Sequence, residues 1–356
     1  MIDTNSFVNG LIEKGYNKLC VVPCSFAKNV INAVINNSDI EYIPCASEAV
    51  ACSIAGGLKM AGEKPIVIVQ SSGITNMGSC ITSLLKPYGV TFPIITSWRT
   101  YNDGDSEIQH QHLASELPVL ISAYGYDHTI LNQESIDEAI SQIERCDNSE
   151  TIAILKKDTF STVELEDIHK IDLSNYPKRS DYLKILNKTY KDTNVLFIGT
   201  TGNTAREMYS FMPVTSNFYM AGNMGGALSL GAGASMSGRD VVVCGGDAEF
   251  AMHMGGLATS GRYKDTVNLT YILFDNEQNK STGGQNSYQS HINYIGIAKN
   301  SNFDVVEKKI EDLDTFNNII EHLKDKKGLY FIHVKCNVDN VTPRPPLKVV
   351  KINKFI

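Results

Sequence analysis

The chain has 356 residues, 42% of them hydrophobic and 20% charged, with a formal net charge of −7 and a pI near 5.6. That length accommodates two domains of ordinary size, and the acidic balance excludes a nucleic-acid partner, which would need clustered Lys and Arg. No apolar run approaches the ~20 residues of a membrane span, and residues 1–5 lack the basic-then-apolar signature of a signal peptide. A cytoplasmic protein without a membrane partner is therefore expected. The eight cysteines, at 20, 24, 45, 52, 80, 146, 244 and 336, form no CxxC pair. They read as buried, reduced thiols rather than disulfides or a zinc site.

In chain order, residues 7–14 have amphipathic helical spacing, 18–22 form a short apolar run that ends at Pro23, and 25–36 return to helical spacing. A short strand over 41–44 leads to a helix of small residues over 47–60, and 65–70 is a strongly apolar strand. Residues 158–180 lose this periodicity and turn polar, the mark of a linker. The rhythm then restarts with a strand over 194–199, a helix over 204–211, a Gly/Ala-rich helix over 226–237 and a last strand over 330–334. Strands that alternate with helices imply parallel, doubly wound sheets. The predicted fold class is α/β, with two such domains in tandem: residues 1–160, a linker over 161–180, and 181–356.

Two strand ends in the second half carry the sharpest signal. Residues 241–249 run Val-Val-Val-Cys-Gly-Gly-Asp-Ala-Glu, and 273–278 run Leu-Phe-Asp-Asn-Glu-Gln. Asp247 and Asn276 are 276 − 247 = 29 positions apart, enough for a crossover helix between neighbouring strands. A carboxylate and an amide oxygen then meet at one sheet edge, where α/β folds bind ligands. Hard cations take such oxygens together with phosphates, so the pair is a candidate metal-diphosphate anchor.

This pattern resembles the signature of thiamine diphosphate enzymes, a Gly-Asp-Gly and a terminal Asn at about this interval. The continuation Ser281-Thr282-Gly283-Gly284-Gln285 resembles the matching segment of the phosphonopyruvate and sulfopyruvate decarboxylases. The chain departs from the pattern in having Ala248 for Gly, Asp275-Asn276 for Asn-Asn, and Lys280 before the Ser. Ala248 leaves open whether a glycine is needed there for a positive φ.

The resemblance covers nearly the whole chain. It implies the two domains of a short thiamine diphosphate enzyme, one binding the pyrimidine and one the diphosphate. It implies thiamine diphosphate and Mg²⁺ as cofactors, with Asp247, Asn276 and the Gln278 carbonyl as metal ligands. Ala248 and Glu249 belong to the same cofactor-binding segment. Glu48, at the start of a helix, resembles the family's catalytic glutamate, which lies against the pyrimidine. Gln70, Ser72, Gly73 and Asn76 match a family turn that has Asn where this chain has Ser71. Gly222 and Met224 would offer a carbonyl and an apolar wedge to a bent cofactor, and Thr200 would lie close by. Ser281 and Thr282 would cap the following helix and touch the diphosphate.

For the substrate, Ser25 lies in a Val-Pro-Cys-Ser-Phe turn of the family type, and Arg99 and His110 resemble further family segments. Arg99 suits a dianionic phosphonate, and His110 a proton relay, with His112 as the alternative. The implied activity is decarboxylation of 3-phosphonopyruvate to phosphonoacetaldehyde and CO₂. Sulfopyruvate, another 2-keto acid, or carboligation are the near alternatives. A non-catalytic binder of thiamine diphosphate is the alternative of a different class. A nucleotide-binding dehydrogenase is disfavoured, because neither half opens with GxGxxG. The small-molecule 2-keto acid would be met by a homodimer or homotetramer, with the cofactor at the subunit interface.

Overall fold

The computed structural model describes residues 1–102, 104, 108–213, 217–339 and 343–346. It divides into two compact units. The first comprises Met1–Lys170 and Asn279–Asn286, the second Ile171–Gln278 and Ser287–Ile356.

The first unit holds a parallel sheet of β1 (Lys18–Val21), β2 (Glu41–Pro44), β3 (Pro65–Gln70), β4 (Ile94–Ser97), β5 (Asp127–Ile130) and β6 (Thr151–Leu155), in the order β2-β1-β3-β4-β6-β5. The second unit holds β7 (Leu196–Gly199), β8 (Phe218–Tyr219), β9 (Asp240–Gly246) and β10 (Asn268–Asp275). Two short strands follow, β11 (Gln278–Asn279) and β12 (Gln285–Asn286), and then β13 (Asp304–Val305) and β14 (Leu329–Lys335). The second sheet runs β13-β14-β10-β9-β7-β8, again parallel throughout. Read from its other edge it is β8-β7-β9-β10-β14-β13, the same succession as the first sheet. The chain thus builds one topology twice, as expected of two doubly wound α/β domains. Each sheet reverses its winding between its first and third strands, which is where such sheets bind ligands.

The inner strands, such as β3, β9 and β10, are buried along nearly their whole length because both faces of the sheet are covered. In β3, Ile66 and Ile68 point into the core on one face, while Val67 and Val69 join Cys52 and Met77 on the other. In the second unit Val241, Val243, Leu269 and Tyr271 face one way and Val242, Cys244, Ile272 and Phe274 the other. Its helices Arg179–Thr189 and Asn203–Phe211 are joined by a buried ion pair. Arg179 Nε and Nη2 donate to Glu207 Oε2 and Oε1 at 2.8 and 2.9 Å. The eight cysteines are unpaired. Among the described residues no helix is long and apolar enough to cross a membrane.

Candidate active site

In the first unit, the segments that leave the C-terminal strand ends carry the candidate groups. Ser47 caps the helix Glu48–Met60 by accepting from the Val50 N–H, which places Glu48 in the first helical turn, directly after β2. The Glu48 side chain is buried, and its Oε2 accepts from Asn76 Nδ2 at 2.9 Å. Gly73 lets this carboxyl approach: a Cβ there would meet Oε1 at 2.5 Å. Gln70 Nε2 donates to Ser72 Oγ at 2.7 Å across the turn that ends β3. Ser71, where the family pattern has Asn, buries its hydroxyl without a hydrogen-bond partner among the described residues. Glu48, Gly73 and Asn76 are thus brought together, as a carboxyl steadied by an amide over a bare Cα.

A second cluster follows β1 and β4. Arg99 is buried, its Nη1 donates to Ser25 Oγ at 2.5 Å, and its guanidinium lies 4.5 Å from the centre of the Phe26 ring. Cys24 Sγ donates to Ser97 Oγ at 3.1 Å behind them. His110 is buried in the short helix Ile108–Leu113, and its carbonyl accepts from Thr100 Oγ1 at 3.1 Å. His112 is exposed, which favours His110 of the two.

In the second unit, β9 and β10 are neighbours, with Gly246 opposite Phe274. Asp247 and Asn276 therefore emerge side by side. Both are buried. Burial, and after it the charge of Asp275, pushes the Asp247 carboxyl up to about 7. A buried acid in that condition suits a bound cation, whose charge would offset both effects. Ser287 Oγ donates to Asp247 Oδ2 at 2.9 Å. Asn276 Nδ2 donates to the Gln278 carbonyl at 3.1 Å, which leaves Asn276 Oδ1 as a donor oxygen. One carboxylate, one amide oxygen and one carbonyl form the mixed oxygen set that Mg²⁺ accepts beside phosphate oxygens. Thr200, at the end of β7, buries a hydroxyl with no partner among the described residues, a further group suited to a polar ligand.

The three departures from the family pattern have physical explanations. Ala248 lies within the helix Asp247–Met252 and outside the positive-φ region, so no glycine is required. Asp275 is compensated: burial raises its carboxyl, but His333 and Lys335 outweigh burial and hold it below the ordinary range. Lys280 is exposed to solvent.

Glu249, expected among the cofactor-binding residues, turns its buried side chain inward, where Oε2 accepts from Tyr271 Oη at 2.7 Å. Gly222 is exposed and Met224 half-buried, ahead of the helix Ala227–Met236. Ser281 and Thr282 do not cap a helix. Gly283 and Gly284 take φ of 147° and 84°, and the next helix, Tyr294–Asn300, is capped by Asn293. The stretch Asn279–Asn286 instead belongs to the first unit, where Gln285 Nε2 donates to Asn32 Oδ1 at 2.8 Å. Ser287, His333 and Lys335 escaped sequence reasoning. The one available signal was a pair of ionisable residues in the otherwise apolar run 329–336.

Residues 4–117 match the N-terminal TPP binding domain of thiamine pyrophosphate enzymes and residues 198–334 their C-terminal TPP binding domain. The chain belongs to the thiamine pyrophosphate enzymes, and thiamine diphosphate is its cofactor. Within them it groups with the phosphonopyruvate and sulfopyruvate decarboxylases. It is 28% identical to the phosphonopyruvate decarboxylase of Streptomyces viridochromogenes over 319 residues, 84% of this chain and 79% of the relative. The sulfopyruvate decarboxylase of Methanosarcina acetivorans is 24% identical over 371 residues, covering 96% and 93%. The sulfopyruvate decarboxylase subunit beta of Methanocaldococcus jannaschii is 31% identical over 155 residues, covering 42% of this chain and 81% of the subunit.

Proposed function

We propose that this chain is a thiamine diphosphate- and Mg²⁺-dependent decarboxylase of 3-phosphonopyruvate, releasing CO₂ and phosphonoacetaldehyde. The observation that carries the substrate choice is the buried Arg99, whose Nη1 lies on Ser25 Oγ beside the Phe26 ring. A buried guanidinium with a hydroxyl neighbour is a receptor for a compact oxyanion, and its planar fork matches phosphonate oxygens. The Streptomyces relative named for this activity aligns over most of the chain.

When bound, thiamine diphosphate supplies the nucleophilic carbon and the electron sink for loss of CO₂. The protein's part follows from its own groups. Glu48, steadied by Asn76, presents a carboxyl to hold a proton at the pyrimidine nitrogen. Asp247, Asn276 and the Gln278 carbonyl would hold Mg²⁺, and the buried Thr200 hydroxyl would be a further polar contact for the cofactor. Arg99 and Ser25 orient the substrate, and His110 delivers a proton to the carbon that lost CO₂. The pyrimidine-binding and diphosphate-binding domains span residues 1–160 and 181–356, with 161–180 between them. Two copies of the chain form the working dimer, each site drawing Glu48 from one copy and Asp247 from the other. Unpaired cysteines support a cytoplasmic location.

Sulfopyruvate is the second reading, favoured by the extent of the Methanosarcina match. Arg99 can take a sulfonate by the same contacts. Parallel kinetics on both acids, with wild type and Arg99→Ala, test the choice. Phosphonopyruvate should have the higher kcat/KM, and the reverse ranking would overturn the substrate assignment.

A further inference from the structure

Strand β14 ends in a cation that faces two acids. The Lys335 side chain is 4% exposed, lies 3.4 Å from Asp275 Oδ2 and pairs closely with Glu277 Oε1. Its ammonium also stands 5.9 Å from the centre of the Tyr176 ring. Asp275 uses every oxygen within the protein. Oδ2 meets His333 Nε2 at 3.0 Å, Oδ1 accepts the Glu277 N–H at 3.2 Å, and the backbone carbonyl accepts the Cys336 N–H at 3.0 Å. Asp275 is therefore a strut beside the metal-binding segment rather than a ligand.

What the strut holds is an unfavourable turn. Glu277 has φ of 51°, in the left-handed region that a residue with a Cβ avoids. Such a residue persists where its surroundings over-determine it. Here Asp275 Oδ1 grips the Glu277 amide while Lys335 grips its carboxylate. The turn folds the chain back so that the Gln278 carbonyl reaches Asn276 Nδ2 at 3.1 Å. It sets the direction of both Asn276 Oδ1 and the Gln278 carbonyl.

We propose that Lys335 is a positioning residue of the metal site: through Asp275 and Glu277 it locks the left-handed turn that presents Asn276 Oδ1 and the Gln278 carbonyl to a divalent cation. This rests on the reading that Asp247, Asn276 and Gln278 bind Mg²⁺. It also explains how an aspartate can stand at 275, since Lys335 supplies a balancing charge and His333 a hydrogen bond.

The test is calorimetric titration of Mg²⁺ into full-length protein saturated with thiamine diphosphate. Lys335→Met should weaken Mg²⁺ binding at least tenfold. In a Glu277→Gly background the same substitution should cost less than threefold, because glycine adopts positive φ without support. Wild-type affinity in Lys335→Met would overturn the proposal, and so would a tenfold loss that persists undiminished beside Glu277→Gly. Should Lys335→Met fail to fold, Asp275→Asn/Lys335→Met is compared with Asp275→Asn, which removes the uncompensated acid. The tenfold difference is again expected, and equal affinities would overturn the proposal. Failure of the underlying metal reading looks different: Asn276→Ala would then leave Mg²⁺ affinity unchanged.

Discussion

Gly73 lies directly beneath the carboxylate of Glu48, so close that a Cβ at position 73 would come within 2.5 Å of Oε1 and 2.6 Å of Cγ. The glycine is there for the glutamate, and the smallest possible enlargement tests whether the placement of that carboxyl matters. Gly73→Ala should displace Glu48 and lower kcat by about 10²-fold or more, the scale of one positioned proton-transfer group. Affinity for Mg²⁺ should stay near wild type. Steady-state kinetics paired with Mg²⁺ titration check this. Full activity in Gly73→Ala would remove Glu48 from the catalytic account.

Burial pushes Glu249 up to about 7, against an ordinary 4.5. A carboxyl whose folded value is raised binds more protons folded than unfolded, so its contribution to stability falls as pH rises. The window runs from 4.5 to 7 and spans about 3 kcal/mol at 1.36 kcal/mol per unit. Urea unfolding of the metal-free protein at several pH values checks the sign. The stability of Glu249→Gln relative to wild type should rise across that window and level off above it. A constant difference would mean that Glu249 is not held as an uncharged group.

Arg179 and Glu207 form a fully buried bidentate pair, with side chains 4% and 0% exposed. Removal of one member leaves the other charge uncompensated, at a cost of about 3–5 kcal/mol. Arg179→Met should show that loss in urea unfolding, whereas Arg179→Met/Glu207→Met should recover most of it. Equal loss in both variants would show that the two residues act independently.

In the proposed function the Arg99–Ser25 pair receives the anionic end of the substrate. A hydrogen bond to a charged group is worth about 1.5–3 kcal/mol, so Arg99→Ala should raise KM for phosphonopyruvate by about ten- to a hundredfold. Thiamine diphosphate affinity should not change, nor should turnover of pyruvate, which lacks the second anionic group. A proportional loss on both acids would move Arg99 from recognition to folding.

Much of this was legible in the sequence, for physical reasons. Strands such as β3 and β9 are buried on both faces and therefore appear as unbroken apolar runs, and the polar residue at each strand end marks the sheet edge. Asp247 and Asn276 could be paired because 29 residues suit one crossover. Partners supplied from elsewhere in the fold were not legible. Ser287 reaches Asp247 from 40 positions away, and Lys335 reaches Asp275 from 60. Nor does sequence say where a polar loop docks: the stretch with Ser281 and Thr282 is shaped by two positive-φ glycines and joins the first unit through Gln285 and Asn32. Ala248 looked hazardous by analogy with glycine, but its helical backbone makes it an ordinary residue.

The most direct measurement is CO₂ and aldehyde release from purified protein with thiamine diphosphate and Mg²⁺, given phosphonopyruvate or sulfopyruvate, for wild type and Glu48→Gln. Turnover that is faster on phosphonopyruvate and lost in Glu48→Gln is the expected result. Bound cofactor with no CO₂ from either acid would contradict the account.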